Sequence, residues 1–281
     1  MNRSCAMGKW RQELEEAAWV LSKATRATAF CGAGISAESS IPTFRDPGGL
    51  WDQINPMEAG TAKGLLRAFQ EKSDIIVPIL MTMLDRFEKS EPNAGHVALS
   101  HLEKMGILKT VITQNIDNLH EEAGTNDLIE VHGNLFRMHC LSCGWKKKVD
   151  RKPYVQALRN RLLKIAVYDL DALISLAVEC DQCGSLTRPD VVMFGEAVKS
   201  LPQAFDASIQ SDVMMVLGTS GAVFPAASFP VEAKKAGAKI IVINPTENGF
   251  THCTDIYIPM KAGDALPFIV EKIKKSTEKQ I

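Results

Sequence analysis

Residues 30–51, Phe30 to Trp51, read FCGAGISAESSIPTFRDPGGLW. A short apolar run (Ala27, Ala29, Phe30) leads into Gly32, Ala33 and Gly34, with Ala37 three residues on. The pattern fits G-x-G-x-x-G/A, in which glycines permit a tight turn and close approach of backbone N–H groups to a pyrophosphate. Gly-Ala-Gly at a strand end also builds an ordinary turn, so the fingerprint alone does not decide between the two.

The residues after the glycines differ from those of a dehydrogenase, where the turn opens a helix, then a second strand, and an acidic residue about 20 positions on meets the ribose. Here the helix can run only a few residues. Pro42 interrupts it, and Pro47, Gly48 and Gly49 make a loop. Phe44 and Arg45 lie between those breakers, an aromatic ring and a guanidinium placed to form a lid over a cofactor's reactive end. A cofactor held so could be consumed instead of oxidised or reduced.

The chain has 281 residues, 46% hydrophobic and 23% charged, with a formal net charge of -1. That describes a globular protein with one sizeable core and room for a smaller module. A near-neutral balance gives no reason to expect nucleic-acid binding. Charges at Arg11, Glu13, Glu15 and Glu16 argue against a signal peptide, and the longest apolar segment, Ile75 to Leu84, is too short to span a bilayer. A cytoplasmic, membrane-free protein is expected.

Trp10, Leu14, Ala17, Ala18 and Leu21 recur at helical spacing and predict a core-packing helix over 9–24. Residues 55–90 read as helical, bounded by Pro56 and Pro78. Another helix starts at Glu91-Pro92-Asn93 and stops at Gly106. The runs Thr110 to Thr113, Val213 to Leu217 and Lys239 to Ile243 read as buried parallel strands. Each ends in polar or glycine residues: Gln114 to Asp117, Gly218 to Ser220, and Asn244 to Thr246. Open parallel sheets bind ligands at the carboxyl ends of strands, so these tips and Gly32 predict one shared site.

Cys140 and Cys143 form one C-x-x-C pair and Cys180 and Cys183 another, each followed by glycine. Four thiolates suit tetrahedral zinc and leave no open position for water, which assigns a structural role. A redox dithiol pair is the competing reading. His139 is expected to be exposed. The insert Trp145 to Glu179 is expected to be helical through Tyr154, Leu158, Leu162 and Leu163, with Lys146 to Lys148 on a solvated face.

Taken in order, the motifs are Gly32 to Ser36, Ile41 to Arg45, Gly49 to Trp51, Thr113 to His120, His132-Gly133-Asn134, the cysteine pairs, Arg188 to Glu196, Gly218 to Ser220, and Ile243-Asn244. From about residue 20 to 275 the chain resembles the sirtuins, NAD-dependent protein lysine deacylases, in their prokaryotic single-domain form. The resemblance implies an α/β fold: a Rossmann-type doubly wound parallel sheet (residues 9–45, 92–136 and 190–275) with a smaller discontinuous module. That module would have a helical part (46–91) and a four-cysteine zinc ribbon (137–189).

It further implies NAD as co-substrate, structural zinc, and acyl-lysine proteins as substrates; the oligomeric state is left open. Gly32, Ala33, Gly34, Ser36 and Ala37 would cradle the phosphates, and Phe44, Arg45 and Trp51 would close over the nicotinamide ribose. Gln114, Asn115 and Ile116 would orient the ribose and a water, and Asp117 would grip the carboxamide. Gly218, Thr219, Ser220, Asn244 and Ala262 would line the adenosine half. His132 would be the general base, with Asn115 and Asp117 completing the catalytic set. Val192, Phe194 and Gly195 would border the acyl-lysine tunnel and pair with the substrate backbone.

In the implied reaction the acyl oxygen attacks C1′ of the ribose and nicotinamide leaves. His132 then activates a ribose hydroxyl, and water completes the route to free lysine and O-acyl-ADP-ribose. His96 and His120 are expected to be packing groups, and His101 and His252 surface ones.

Two departures matter. Sirtuins usually carry glycine where this chain has Ser40, so a positive φ there would strain serine. The desuccinylating branch carries a Tyr-x-x-Arg pair where an ungapped count here places Leu80 and Met83, although the Glu91 to His96 segment and the long zinc insert are closer to that branch. Without a cation, a negatively charged acyl group would be buried unpaired, so neutral groups are expected, acetyl first. Mono-ADP-ribosyl transfer or NAD hydrolysis from the same site remains an alternative, as does a non-catalytic NAD-sensing module.

Overall fold

Strands that are apolar throughout belong inside a sheet covered on both faces, and the computed structural model places the three predicted runs there. It describes residues 8–43, 60–165, 168 and 170–278. Phe44, Arg45 and Trp51 therefore lie outside the described residues.

The strands are β1 (Ala27–Cys31), β2 (Leu108–Thr113), β3 (Leu128–Glu130), β4 (Gly133–Cys140), β5 (Lys146–Lys148), β6 (Val178–Glu179), β7 (Leu186–Val191), β8 (Val213–Leu217), β9 (Lys239–Ile243) and β10 (Ile256–Ile258). A six-stranded sheet runs β10-β9-β8-β1-β2-β3, and every pairing in it is parallel. Counting only these strands along the chain, the order is 3-2-1-4-5-6, the Rossmann arrangement. Its direction of winding reverses between β1 and β8, which is where such sheets bind ligands.

The helices are α1 (Arg11–Lys23), α2 (Ala62–Glu71), α3 (Ser73–Lys89), α4 (Ala94–Lys104), α5 (Leu119–Glu122), α6 (Arg151–Leu162), α7 (Leu170–Ile174), α8 (Leu201–Ile209), α9 (Phe229–Lys235) and α10 (Ala262–Glu278). Strand residues alternate between two cores, as a pleat of period two requires. Ala27, Ala29, Val213, Met215 and Ile241 face one core with α1, α4 and α10. Phe30, Met214, Val216, Ile240 and Val242 face the other with α8 and α9. Each fully buried leucine or isoleucine contributes about 1.5–3 kcal/mol of transfer free energy.

A four-stranded antiparallel sheet, β5-β4-β7-β6, carries the cysteines. Beside it α2, α3 and α6 build a third apolar cluster around Phe69, Leu84, Phe87, Phe136 and Val155. Ile41, just after the glycine loop's 3-10 turn, and Leu119, just after the β2 tip, also belong to it. The small module is thereby packed onto the part of the large sheet that carries the polar tips.

Three details depart from the sequence expectations. Pro78 lies inside α3, not at its boundary. It is exposed, so water can serve the carbonyl left without an N–H partner, and Thr82 Oγ1 donates to Pro78's own carbonyl at 2.9 Å. Leu163 caps α6 just past its last helical residue, Leu162, with 69% of its surface exposed, instead of continuing the helix. His139 is half-buried rather than exposed, because it lies in the middle of the β5-β4-β7 sheet. Among the described residues no helix is long and apolar enough to cross a membrane.

Candidate active site

The site grows from the β1–β8 switch point. Gly34 N–H donates to Gly218 O at 2.8 Å, and a Cβ on Gly34 would lie 2.7 Å from Gly218 Cα. The N–H groups of Gly32 and Ile35 are also committed, to Leu217 O and Gly32 O. Glycine is therefore needed here for main chain to lie on main chain, which is a packing duty. The chain then makes a 3-10 helix, Ala33–Ser39, which buries Ile35 and Ser36 and ends at Ser40. Ser40 is left-handed, with φ 66° and ψ 13°. Serine occupies the strained conformation that the family glycine would relieve.

Buried polar groups must find partners, and those at the neighbouring tips find one another. Gln114, after β2, donates from Nε2 to Thr219 Oγ1 at 3.0 Å. Asn115 Nδ2 reaches Gly32 O and Ser36 Oγ, each at 3.1 Å. Ser36 Oγ donates to Asp117 Oδ2 at 2.7 Å, and Leu119 N–H donates to Asp117 Oδ1 at 3.0 Å. Burial pushes the Asp117 carboxyl upward, opposed by these hydrogen bonds and by the Arg151 charge. Behind Ser36 lies His96 Nε2 at 3.4 Å, whose Nδ1 receives Asn93 N–H. His96 and His120 are buried with ring centroids 4.8 Å apart, packing groups as expected, while His101 and His252 are exposed.

His132 follows β3. Its Nδ1 lies 3.0 Å from Gln114 O, and a carbonyl can only accept, so Nδ1 carries the hydrogen. Nε2 of the neutral ring is then the basic nitrogen. Burial holds its pKa below 6.5, the Gln114 carbonyl working against that. Gly133 is left-handed, and a Cβ there would fall 1.8 Å from Asp190 O. Val192 N–H donates to His132 O at 2.9 Å, placing the start of the Val192, Phe194, Gly195 segment beside that histidine. Phe194 and Gly195 are exposed, Gly195 with φ 87°.

The remaining expected residues divide. Ala33 and Ile116 are partly buried at the loop and the β2 tip, whereas Ala37 and Ser220 are exposed. Asn244 follows β9 and donates to Thr246 O. Ala262 is buried at the start of α10, whose Gly263 N–H donates to Glu38 Oε2 at 2.9 Å. Leu80 and Met83 pack half-buried on the third apolar cluster. Sequence reading gave no role to Glu38, nor to Asn93, which holds Ile35 O and Ser39 Oγ as well as capping α4. The Pro-Asn helix start was the signal available for Asn93.

The four cysteine sulfurs lie within 4.8 Å of one another. The Cys140–Cys183 and Cys143–Cys180 sulfurs are 3.6 and 3.7 Å apart. A tetrahedral zinc with sulfurs at about 2.3 Å requires sulfur–sulfur separations of about 3.8 Å, so the set fits that ion. Both short approaches cross between the two pairs, so all four converge on one point, as a single metal needs and separate dithiols do not. Gly144 and Gly184 are left-handed, and Ser142 and Cys143 N–H groups turn toward Cys140 Sγ. These residues would hold zinc as a cross-link between the β4–β5 and β6–β7 turns.

Comparison with known proteins agrees with this geometry. The model of the Sir2 family matches residues 32–225. An NAD-dependent protein deacylase of Desulfosudis oleivorans is 52% identical over 93% of this chain and 96% of its own length. The chain belongs to the Sir2 family. A crystal structure of a Sir2 homologue–NAD complex superposes with a TM-score of 0.75 at 35% identity, covering 93% of this chain and 94% of that one. The Sir2Af2 structure bound to a myristoylated histone peptide gives 0.70 at 34% identity, covering 96% and 99%.

Proposed function

We propose that this chain is an NAD-dependent protein lysine deacylase that releases free lysine, nicotinamide and O-acyl-ADP-ribose. The observation that carries the reading is the His132–Gln114 hydrogen bond, which leaves a neutral imidazole with Nε2 as its base at the tip of the strand next to the Asn115–Ser36–Asp117 cluster. A module that only sensed NAD would need no such base. Family members solved with NAD and with an acylated peptide support the same pairing of ligands.

Each residue has a task that its surroundings suit. The Ser36 and Leu119 hydrogens leave further lone pairs on the Asp117 carboxylate, which accept the N–H groups of the nicotinamide carboxamide. Gln114 and Asn115 orient the ribose and a water, while the Gly32 to Ala37 loop and the tips at Gly218, Thr219, Ser220, Asn244 and Ala262 take the phosphates and adenosine. His132 Nε2 removes a proton from a ribose hydroxyl, which general-base chemistry near neutral pH requires. Phe44, Arg45 and Trp51 complete the nicotinamide side. Zinc in the cysteine site supplies a structural cross-link and no reacting group.

The peptide extends alongside Val192 to Gly195, and its acyl chain lies toward Leu80 and Met83. Those side chains favour neutral acyl groups, acetyl first and longer chains next. The large domain comprises 9–45, 92–136 and 190–275, with 46–91 and 137–189 forming the small module. Thiolate ligands suit a reducing compartment, which supports a cytoplasmic location.

The test is NAD turnover with and without an acetyl-lysine peptide, products being separated by mass. Peptide-dependent nicotinamide release with O-acetyl-ADP-ribose, both lost in His132→Ala, supports the assignment. Free ADP-ribose formed without peptide, or ADP-ribose attached to protein, would instead identify a hydrolase or transferase using the same site.

A further inference from the structure

We propose that Arg151, in the insert between the cysteine pairs, is a positioning residue that sets the main chain at Asp117 and so the grip on nicotinamide. The inference rests on the deacylase reading above.

Arg151 opens α6, yet its side chain is only 9% exposed and every terminal N–H is used. Nη2 donates to Asp117 O at 2.9 Å and to Glu122 Oε1 at 2.6 Å. Nη1 donates to Phe87 O at 3.1 Å and to Ser90 Oγ. The guanidinium carbon lies 4.8 Å from the centre of the Phe136 ring. Only a planar fork can serve these partners while stacking on a ring, so lysine cannot replace it in full.

The segment it holds is one that needs holding. Asn118, next to Asp117, is left-handed at φ 67°, a turn conformation that asparagine tolerates better than most residues but that leaves the main chain sharply bent beside Asp117. Leu135 N–H fixes Ile116 O at 2.9 Å, and Asn134 Nδ2 fixes Asn118 Oδ1 at 2.7 Å. Between these anchors the Asp117 carbonyl rests on Arg151. The Asp117 carboxylate is tied to Ser36 and to Leu119 N–H, so a shift of its main chain must re-aim the carboxylate. The other half of the fork holds the end of α3, which also carries Leu80 and Met83. One side chain thus joins the acyl side of the cleft to the nicotinamide side.

The experiment compares the full-length chain with Arg151→Met and Arg151→Lys, reading nicotinamide inhibition, KM for NAD, and ADP-ribose affinity by calorimetry. Arg159→Gln is the control, because Arg159 ties the same two helices through Glu88 and Asp85. Loss of a charged hydrogen bond predicts about tenfold weaker nicotinamide inhibition in Arg151→Met. ADP-ribose, which lacks the carboxamide, should bind within about twofold of wild type. Arg151→Lys should fall between, and it carries the test if the methionine variant does not fold. Unchanged nicotinamide inhibition in the Arg151 variants, or an equal shift in Arg159→Gln, overturns the proposal. A wild-type chain that releases no nicotinamide at all sinks the deacylase reading and this inference with it.

Discussion

Ser36 and Asp117 meet at 2.7 Å, the serine hydrogen ending on Asp117 Oδ2. The Ser36 oxygen in turn receives Asn115 Nδ2, and His96 Nε2 stands at 3.4 Å. Because Asn93 N–H occupies His96 Nδ1, the His96 hydrogen sits on Nε2 and points along the chain toward Asp117. The Asp117 carboxylate, proposed above to take the nicotinamide carboxamide, is therefore backed by a histidine that must remain neutral.

Protonating His96 would break its bond from Asn93, and burial already drives its pKa down from 6.5 to about 4. The folded pKa lies below the unfolded one, so the stabilisation is present above pH 6.5 and is lost as pH falls through about 4. The loss from this one group approaches about 3 kcal/mol. His120 shifts in the same direction, whereas Asp117, raised by burial, opposes them on the acid side. Denaturant unfolding at pH 7 and pH 4.5 should show a steep drop for wild type and a shallower one for His96→Gln. Equal drops in the two proteins would exclude this origin.

For His132, burial likewise lowers the pKa, so the neutral base persists below pH 6.5. The acid limb of kcat/KM should have its midpoint under 6.5, activity falling as pH decreases through it. A pH–rate profile checks this, and a midpoint at 7 or above would remove His132 from the role.

Ser40 holds φ 66° without being glycine. Ser40→Gly should stabilise the chain by about 1 kcal/mol, since the left-handed penalty disappears. Arg86 bonds the main-chain carbonyl of Ser40 and keeps that contact in the variant. A lower midpoint in urea for the glycine chain would contradict the strain argument.

Leu80 and Met83 offer no cation to an acidic acyl group. Burying an unpaired carboxylate there should slow desuccinylation at least about 100-fold relative to deacetylation, by kcat/KM on matched peptides. Comparable rates on both peptides would show that the acyl tail goes elsewhere.

The cysteine cluster predicts bound zinc, measurable by metal analysis, that Cys180→Ala loses. Stripping it with a chelator should lower the thermal midpoint by several degrees, because the β4–β5 and β6–β7 turns lose their cross-link. An unchanged midpoint after verified metal loss would argue against a structural ion.

The features legible in the chain were those that repeat or space themselves. Val213 to Leu217 and Lys239 to Ile243 announced their burial by lacking a polar face, and both are strands with those bounds. The C-x-x-C-G pairs likewise declared one cluster, since ligand spacing is local. Arg151 was illegible for the opposite reason: its partners Phe87, Ser90, Asp117 and Glu122 are 29 to 64 positions away, and in sequence it is one cation in a polar insert. Pro78 misled because prolines usually mark helix ends, while an exposed turn tolerates one. Ser40 was visible as an oddity, but only the backbone angle decides whether it costs anything.

The partner that fixes the His132 tautomer is the main-chain oxygen of residue 114. Every amino acid supplies that atom, so no point substitution at that position can delete it. The base is thereby insulated from mutational drift at its own support, and the Gln114 side chain is left open to selection for other ends.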